Sequence, residues 1–316
     1  MSIALAPILS LVRLYLGVSK TWDMKVLGFS VVYYSTWVMT SKMTKKGGEN
    51  RFLNSNLFGL LRYVLSSIPI SISVTHEVTG APSGQYLFPC HPHGALAFNR
   101  AAVGFCMEDL WDAAFPQLPN LKVLTASAAF YVPIIRELWL ASYCIEASKK
   151  VAVKALEKGG PGTGMLVYPG GEVEQLMTEL GKEKIYLSGR KGFIKLALEQ
   201  GMEIVPVYAF GESDLYYHSK ILLGLRKKIQ KKIGAAIPLI HGQFGLLPYF
   251  PEKGVRLVFG EPIGLWKGKQ TKWVKGMKID QNMIDEGHAV YCEKLKELFE
   301  KEKGAMGYAD RVLEIY

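Results

Sequence analysis

The sequence predicts an α/β fold in which a mostly parallel sheet is covered by helices. Short runs rich in β-branched and aromatic residues alternate with helical patterns, an order typical of parallel strands joined by crossover helices. The 316-residue chain is 49% hydrophobic, and its apolar excess lies ahead of His76. These observations predict a hydrophobic membrane anchor at residues 1–41 and an enzyme domain at residues 42–316.

The anchor is predicted from two apolar runs, residues 3–12 and 26–41, which are separated by the polar turn at residues 19–25. Neither run clearly reaches the roughly 20 residues that a helix needs to cross a bilayer. We therefore expect an N-terminal hydrophobic hairpin that dips into the membrane, with a buried core hairpin as the alternative. A third apolar stretch, residues 58–74, predicts a helix lying on the membrane or on the domain.

Strands and helices are predicted to alternate along the domain. The strands are expected at residues 85–90, 121–126, 164–168, 203–210 and 255–260, and the helices at 98–112, 148–159, 190–200 and 280–303. Residues 221–233 place Ile and Leu on one side of a helix and Lys and Arg on the other. This pattern predicts a helix at a membrane surface, with a solvated face of a soluble protein as the alternative.

The net charge of +10 admits three kinds of partner: nucleic acid, an anionic membrane, or a polyanionic small molecule such as an acyl-CoA. No nucleic-acid-binding motif accompanies the charge, so no nucleic acid is expected. The four cysteines form no CxxC pair, which argues against a zinc site or a disulfide framework and favours a reducing, cytosol-facing location.

The chemistry is predicted at the end of the first strand of the domain, where His91, Pro92, His93 and Gly94 follow an apolar run. Histidine is the most common general base near neutral pH. If strand geometry continued through Pro92, the two histidine side chains would point the same way. Two alternatives stay open: a strand end with no reaction, and a metal site, for which no further ligands show a diagnostic spacing.

A second group of candidates follows the strand at 164–168, where Tyr168, Pro169, Gly170 and Gly171 lead to Glu174. Two glycines allow a tight turn or the close approach of a ligand. Glu174 could orient and charge-balance an imidazole, as the third member of a triad does, although a solvated helix start is the alternative. A serine hydrolase is disfavoured because the chain has no GxSxG motif.

Together these motifs resemble the diacylglycerol acyltransferase type 2 family, which includes monoacylglycerol and wax-alcohol acyltransferases. The resemblance rests on HPHG at 91–94, the Pro-Gly-Gly turn with Glu174, RKGF at 190–193, Val205-Pro206 and FGE at 210–212. It implies a glycerolipid-acyltransferase-like fold and an acyl-CoA-dependent O-acyltransferase of the endoplasmic reticulum and lipid droplets. Acyl-CoA would then be a co-substrate, with no cofactor and no metal.

The resemblance carries the HPHG motif onto residues 91–94, and the GGxxE motif onto Gly170, Gly171 and Glu174. Related glycerolipid acyltransferases use a histidine followed five residues later by an aspartate, whereas Phe98 and Leu96 stand at those positions here. The acid must therefore come from elsewhere. We predict His93 as the general base, His91 as a supporting donor and Glu174 as the orienting carboxylate.

The substrates are predicted from charge. Arg190, Lys191 and Lys195 form a one-sided basic face near a helix start, which suits the phosphates of CoA, although simple solvation is the alternative. The turn at 168–175 contains no Lys or Arg, so we expect a neutral lipid acceptor, with diacylglycerol before monoacylglycerol or a fatty alcohol. The turn residues, with Pro92 and Gly94, are the candidate substrate contacts. Membrane lipids are further partners, and a homo-oligomer is left open.

Two other classes of protein are rivals to the acyltransferase interpretation: a metal-dependent hydrolase and a non-catalytic lipid-binding protein.

Overall fold

The computed structural model describes residues 10, 13, 21–39, 69–105, 110–131, 136, 139–140, 142–234, 236–245, 247–266 and 273–316. The strands are β1 (Ile70–Val74), β2 (Tyr86–His91), β3 (Asn120–Thr125), β4 (Cys144–Glu146), β5 (Thr163–Val167), β6 (Glu183–Ile185), β7 (Glu203–Ile204), β8 (Val207–Phe210), β9 (Tyr217–His218), β10 (Ile240–His241), β11 (Val255–Phe259) and β12 (Leu313–Ile315). The helices are α1 (Thr21–Met39), α2 (Phe98–Phe105), α3 (Asp112–Ala114), α4 (Lys149–Gly159), α5 (Gly171–Met177), α6 (Gly192–Gln200), α7 (Leu223–Ile233) and α8 (Gln281–Glu302).

The central sheet has the strand order β1-β11-β8-β2-β5-β3-β4, with β7 pairing with β2. Its pairs are parallel except for β11 with β8, so the sheet is mostly parallel, as the alternating pattern predicts. The strand expected at 203–210 is divided into β7 and β8 at Val205-Pro206. Proline lacks the backbone donor that a continuous ladder needs.

Two hydrophobic cores cover the two faces of this sheet. Residues of β2 alternate between them: Phe88 belongs to one core, and its neighbour Leu87 belongs to the other. All six residues of β2 are buried, as expected of a strand with both faces covered. The first core contains a cluster of aromatic rings, in which the Trp111 and Phe115 centroids lie 4.6 Å apart. The sheet is thus a rigid platform for the residues at its strand ends.

Local signals in the sequence fix the ends of several helices. The Ser148 side chain accepts a hydrogen bond from the Val151 amide, so Ser148 caps α4 as predicted. Asp280 caps α8 by accepting from the Met283 amide. His288 on α8 is buried, and its Nε2 lies 3.0 Å from the Leu187 carbonyl oxygen. His288 is therefore packed against the loop that contains Leu187.

The predicted N-terminal membrane hairpin is wrong. Helix α1 begins at Thr21, inside the predicted turn, and runs through Lys25 to Met39 as one helix. No helix in the described parts of the chain is both long enough and apolar enough to cross a membrane. Residues 1–9, where most of the first apolar run falls, lie outside the described residues.

The apolar stretch at 58–74 also differs from the prediction where it is described. Ile70–Val74 forms strand β1, which pairs in parallel with β11, whereas residues 58–68 lie outside the described residues. The sequence ISISV alternates apolar and polar side chains, which suits a strand at the edge of a sheet. This local alternation outweighs the apolar content that suggested a helix.

Candidate active site

Three neighbouring strands end at the same edge of the sheet and carry the candidate residues. Strands β8, β2 and β5 are parallel neighbours, so their carboxyl ends meet. The HPHG motif follows β2, the turn at 168–171 follows β5, and Glu212 follows β8. Ligands of open α/β sheets bind outside the carboxyl ends of the strands, so this edge is the expected place for chemistry.

The two histidines of HPHG occupy different environments. Strand β2 ends at His91, so His93 lies beyond the strand and its alternation. The His91 ring lies 6.3 Å from Tyr291, which belongs to one core, and the His93 ring lies 5.4 Å from Tyr168, which belongs to the other. The expectation that both side chains point the same way is therefore wrong.

The Glu174 carboxylate joins the two histidines. It is fully buried on α5, and its Oε1 accepts a hydrogen bond from the His93 backbone amide. Its Oε2 accepts from the Tyr186 amide at 2.9 Å and lies 3.5 Å from His91 Nδ1. A side chain at Gly170 would overlap the carboxylate, so only glycine leaves it room. Glu174 thus fixes the backbone of His93 and faces the ring of His91.

The His93 ring is arranged to accept a proton. Its Nδ1 lies 3.1 Å from the Gly94 carbonyl oxygen, and since a carbonyl only accepts, Nδ1 carries the hydrogen and Nε2 keeps a free lone pair. Burial, followed by the nearby positive charge of Arg100, lowers the pKa of His93 to about 4. His93 is therefore neutral at physiological pH, the state that a general base requires.

His91 has a different character. It is fully buried, and neither of its ring nitrogens has a hydrogen-bond partner in the described structure. The Glu174 carboxylate lies 3.5 Å from its Nδ1. This position beside the carboxylate suits the supporting role predicted for His91.

Glu212 and Asn99 also belong to the site, although no role was predicted for either residue. The Glu212 carboxylate accepts from the Phe98 amide at 2.7 Å, the Asn99 amide at 3.0 Å and Asn99 Nδ2 at 2.9 Å. Asn99 Oδ1 in turn accepts from the Tyr168 hydroxyl. Gly94 has a φ of +65°, and a Cβ there would lie 2.5 Å from Glu212 Oε1. This network holds the first turn of α2 and the ring that contacts His93.

The carboxyl group of Glu212 is costly to ionise. Burial raises its pKa to about 7, although hydrogen bonds from Asn99 and Phe98 oppose the rise. The only sequence signal for Glu212 was its position after a predicted strand, within the FGE motif. Asn99 gave no signal beyond its place at the start of a helix.

Arg100, also missed, lies beside these groups. It is 7% exposed, and its guanidinium carbon is 4.2 Å from the centre of the Trp139 ring and 5.7 Å from that of Tyr168. Its charge is near enough to lower the pKa of His93. The site therefore combines a neutral imidazole with a buried cation.

The three predicted contacts for CoA phosphates lie at the start of α6. Arg190 stacks 5.1 Å from the Tyr186 ring, and the Tyr186 amide donates to Glu174. Lys191 pairs with Asp285 at 2.8 Å, and Lys195 is exposed. Arg190 is thus connected to the site through Tyr186, whereas Lys191 already has a partner. No group of three or more His, Cys, Asp or Glu side chains that could hold a metal occurs among the described residues.

The fold and the site define an α/β protein in which a neutral histidine and a buried glutamate lie together at the ends of parallel strands. A sequence model of the family described as diacylglycerol acyltransferase matches residues 15–315. The chain therefore belongs to the diacylglycerol acyltransferase family and is an acyltransferase, which confirms the resemblance seen in its motifs.

Several curated proteins are similar over most of the chain. The 2-acylglycerol O-acyltransferase 1 of Bos taurus is 32% identical over 91% of this chain and 85% of its own length. The diacylglycerol O-acyltransferase 2 of Homo sapiens is 30% identical, with coverages of 97% and 77%, and that of Danio rerio is 31% identical, with coverages of 94% and 81%. The similarity thus includes both N-terminal and C-terminal parts of the described structure.

Proposed function

We propose that this protein transfers a fatty acyl group from acyl-CoA to the free hydroxyl of diacylglycerol, which yields triacylglycerol. Acyl-CoA-dependent acylglycerol acyltransferase activity follows from the family and the relatives. The observation that carries the mechanism is His93, whose Nδ1 faces the Gly94 carbonyl and whose Nε2 is left to accept a proton.

The reaction needs one base and one acid, and His93 serves as both in turn. Nε2 takes the proton of the acceptor hydroxyl as its oxygen attacks the thioester carbonyl and the C–O bond forms. The tetrahedral intermediate then collapses, the C–S bond breaks, and the imidazolium returns the proton to the CoA sulfur. Glu174 holds the His93 backbone in place and faces the ring of the neighbouring His91. Arg190 supports binding of the CoA phosphates.

Diacylglycerol and monoacylglycerol are the two acceptors considered, because the chain is about as similar to a 2-acylglycerol acyltransferase as to diacylglycerol acyltransferases. We propose a neutral acceptor, with diacylglycerol as the first candidate, because the turn at 168–175 has no cation and carries Glu172 and Glu174. An acceptor that bears a phosphate would meet carboxylates there, and an unpaired anion in a buried site is costly.

The acceptor proposal is tested with membranes that contain the full chain. Labelled acyl-CoA is supplied with diacylglycerol, monoacylglycerol, a long-chain alcohol or lysophosphatidic acid, and the lipid products are separated. We expect the highest rate with diacylglycerol, and less than about one tenth of that rate with lysophosphatidic acid, a difference of about 1.4 kcal/mol. Equal rates for the neutral and the phosphorylated acceptor would contradict the proposal.

We further propose that the enzyme works at the cytosolic surface of the endoplasmic reticulum and on lipid droplets. Ile221, Leu222 and Leu225, at the start of α7, are exposed, as are the four lysines of that helix. Arg226, predicted on the basic side, is instead buried, and its Nη1 lies 3.0 Å from His218 Nε2. The exposed apolar and basic residues together suit an anionic lipid surface.

Membrane binding is tested by flotation of the full chain with vesicles that contain or lack anionic lipid. Replacing both Leu222 and Leu225 by serine should reduce the bound fraction several-fold, because apolar burial contributes about 25 cal/mol per Å². Val312→Ser is the matched control, since Val312 is equally exposed and lies elsewhere. If the double variant floats like the parent protein, α7 does not contact the lipid.

A further inference from the structure

Arg100 is a buried cation with no anionic partner in the part of the chain that the structure describes. Its side chain makes no ion pair there, and its Nε has no hydrogen-bond partner. Its guanidinium carbon lies 4.2 Å from the centre of the Trp139 ring. Burying a guanidinium that is neither paired nor fully hydrogen-bonded is unfavourable, so a folded protein retains one only where other groups compensate.

The neighbouring carboxylate of Glu212 is hydrogen-bonded to other groups. The charge of Arg100 opposes the rise in the pKa of Glu212 that burial causes, but the hydrogen bonds that Glu212 accepts come from the Phe98 amide, the Asn99 amide and the Asn99 side chain. Arg100 Nε has no acceptor among these groups.

The contact with Trp139 does not satisfy the donors of the guanidinium. The Trp139 ring, whose centre lies 4.2 Å from the guanidinium carbon, carries an N–H donor and no acceptor. The guanidinium carbon also lies 5.7 Å from the centre of the Tyr168 ring, which is 5.4 Å from that of His93. Arg100 and His93 are therefore both neighbours of Tyr168.

We propose that Arg100 is a catalytic residue that binds the carbonyl oxygen of the acyl thioester and stabilises the oxyanion of the tetrahedral intermediate. This inference rests on the proposed acyl transfer at His93. When the acceptor oxygen attacks, the carbonyl π electrons move to oxygen, and the negative charge develops where the guanidinium can donate to it. The CoA phosphates are not the ligand of Arg100, because the whole pantetheine arm separates them from the thioester.

The test compares Arg100→Met, Arg100→Lys and Arg100→Ala with the parent protein in steady-state assays over a range of pH. Loss of one oxyanion donor lowers turnover about 10²- to 10³-fold, so we expect that loss for Arg100→Met, with little change in KM for acyl-CoA. Arg100→Lys should keep part of the activity, and added guanidinium should restore part of it to Arg100→Ala. Arg256→Met, on β11, is the control for a neutralised arginine outside the site.

The pH profile separates this role from an effect on His93 alone. Without Arg100 the pKa of His93 rises toward its ordinary value, so the acid limb of the profile moves to higher pH. Loss of an oxyanion donor also lowers the plateau at high pH, where His93 is neutral in both proteins. The proposal would be overturned if Arg100→Met shifted the acid limb but left the rate at the plateau unchanged. It would also be overturned if the plateau rate fell and neither Arg100→Lys nor added guanidinium restored any of it.

A second measurement does not depend on turnover or on the acceptor. Infrared spectra of bound acyl-CoA labelled with ¹³C at the thioester carbonyl report the hydrogen bond to its oxygen. We expect a lower carbonyl stretching frequency in the parent protein than in Arg100→Met. The same frequency in both proteins would overturn the assignment even if acyl transfer is confirmed. A difference would support it whichever lipid proves to be the acceptor.

Discussion

Replacing His93 by alanine should lower the rate of acyl transfer by about 10²- to 10⁴-fold, the range in which general acid–base catalysis contributes. The variant should stay folded, because the bond from residue 93 to Glu174 comes from the backbone amide and survives any side chain but proline. The measurement is product formation from labelled acyl-CoA and diacylglycerol, with thermal unfolding as the check on the fold.

The same experiment distinguishes the two histidines. His91→Ala should lose less activity than His93→Ala, since His91 is fully buried and lacks the carbonyl contact that sets the tautomer of His93. His76→Ala is a matched control because His76 is exposed and lies outside the site. Normal activity in a folded His93→Ala protein would remove His93 from the mechanism, and a larger loss in His91→Ala would make His91 the base.

The pH dependence of the parent enzyme follows from the low pKa of His93. A base with a pKa of about 4 stays neutral from neutral pH down to that value, so its protonation does not limit the rate between pH 6 and 8. An unperturbed histidine would lose activity below about pH 6.5. The folded protein favours the neutral form of His93, whereas the unfolded chain binds a proton there at higher pH. His93 therefore lowers the free energy of unfolding as the pH falls from its unfolded pKa toward its folded pKa.

The sheet and the edge that carries the chemistry could be predicted because their signals are local. Periodicity and turn residues place the strands, and the parallel arrangement then brings HPHG and Glu174 together although they are 81 positions apart. The atoms that meet at this edge could not be predicted. Glu174 was expected to orient an imidazole, but it bonds to the His93 backbone and faces the ring of His91.

The residues that were missed depend on contacts with no local signal. Asn99 and Glu212 lie 113 positions apart and meet because α2 starts above the end of β8. Arg100 and Arg226 were unremarkable cations in a basic chain, yet both are buried. Burial of a charged side chain depends on the packing of distant elements, which composition and periodicity do not report. The N-terminal hairpin failed for a related reason, since apolar content alone does not determine where a helix starts.

The second large effect is expected from Glu174→Gln, which keeps the size of the side chain and removes its charge. The carboxylate accepts from the amides of His93 and Tyr186 with different oxygens, and a carboxamide has only one oxygen. Its NH₂ group would face one of these amides, and Gly170 leaves no space for the side chain to rotate away. We expect turnover to fall by about 10²-fold or more, with a smaller change in KM.

Two further variants show whether the charge or the contact of Glu174 matters. Glu172→Gln removes a carboxylate from the same helix at a partly exposed position and should leave the rate unchanged. Glu174→Asp keeps the charge but is one methylene shorter, so it cannot span the His93 and Tyr186 amides together. We expect Glu174→Asp to lose nearly as much activity as Glu174→Gln. The unfolding temperature should be lower in both variants, since a lost bond to a buried donor costs about 1–3 kcal/mol.

If Glu174→Gln turned over at the parental rate, the carboxylate would be a packing residue, and His93 would be positioned by Gly94 and Tyr168 alone.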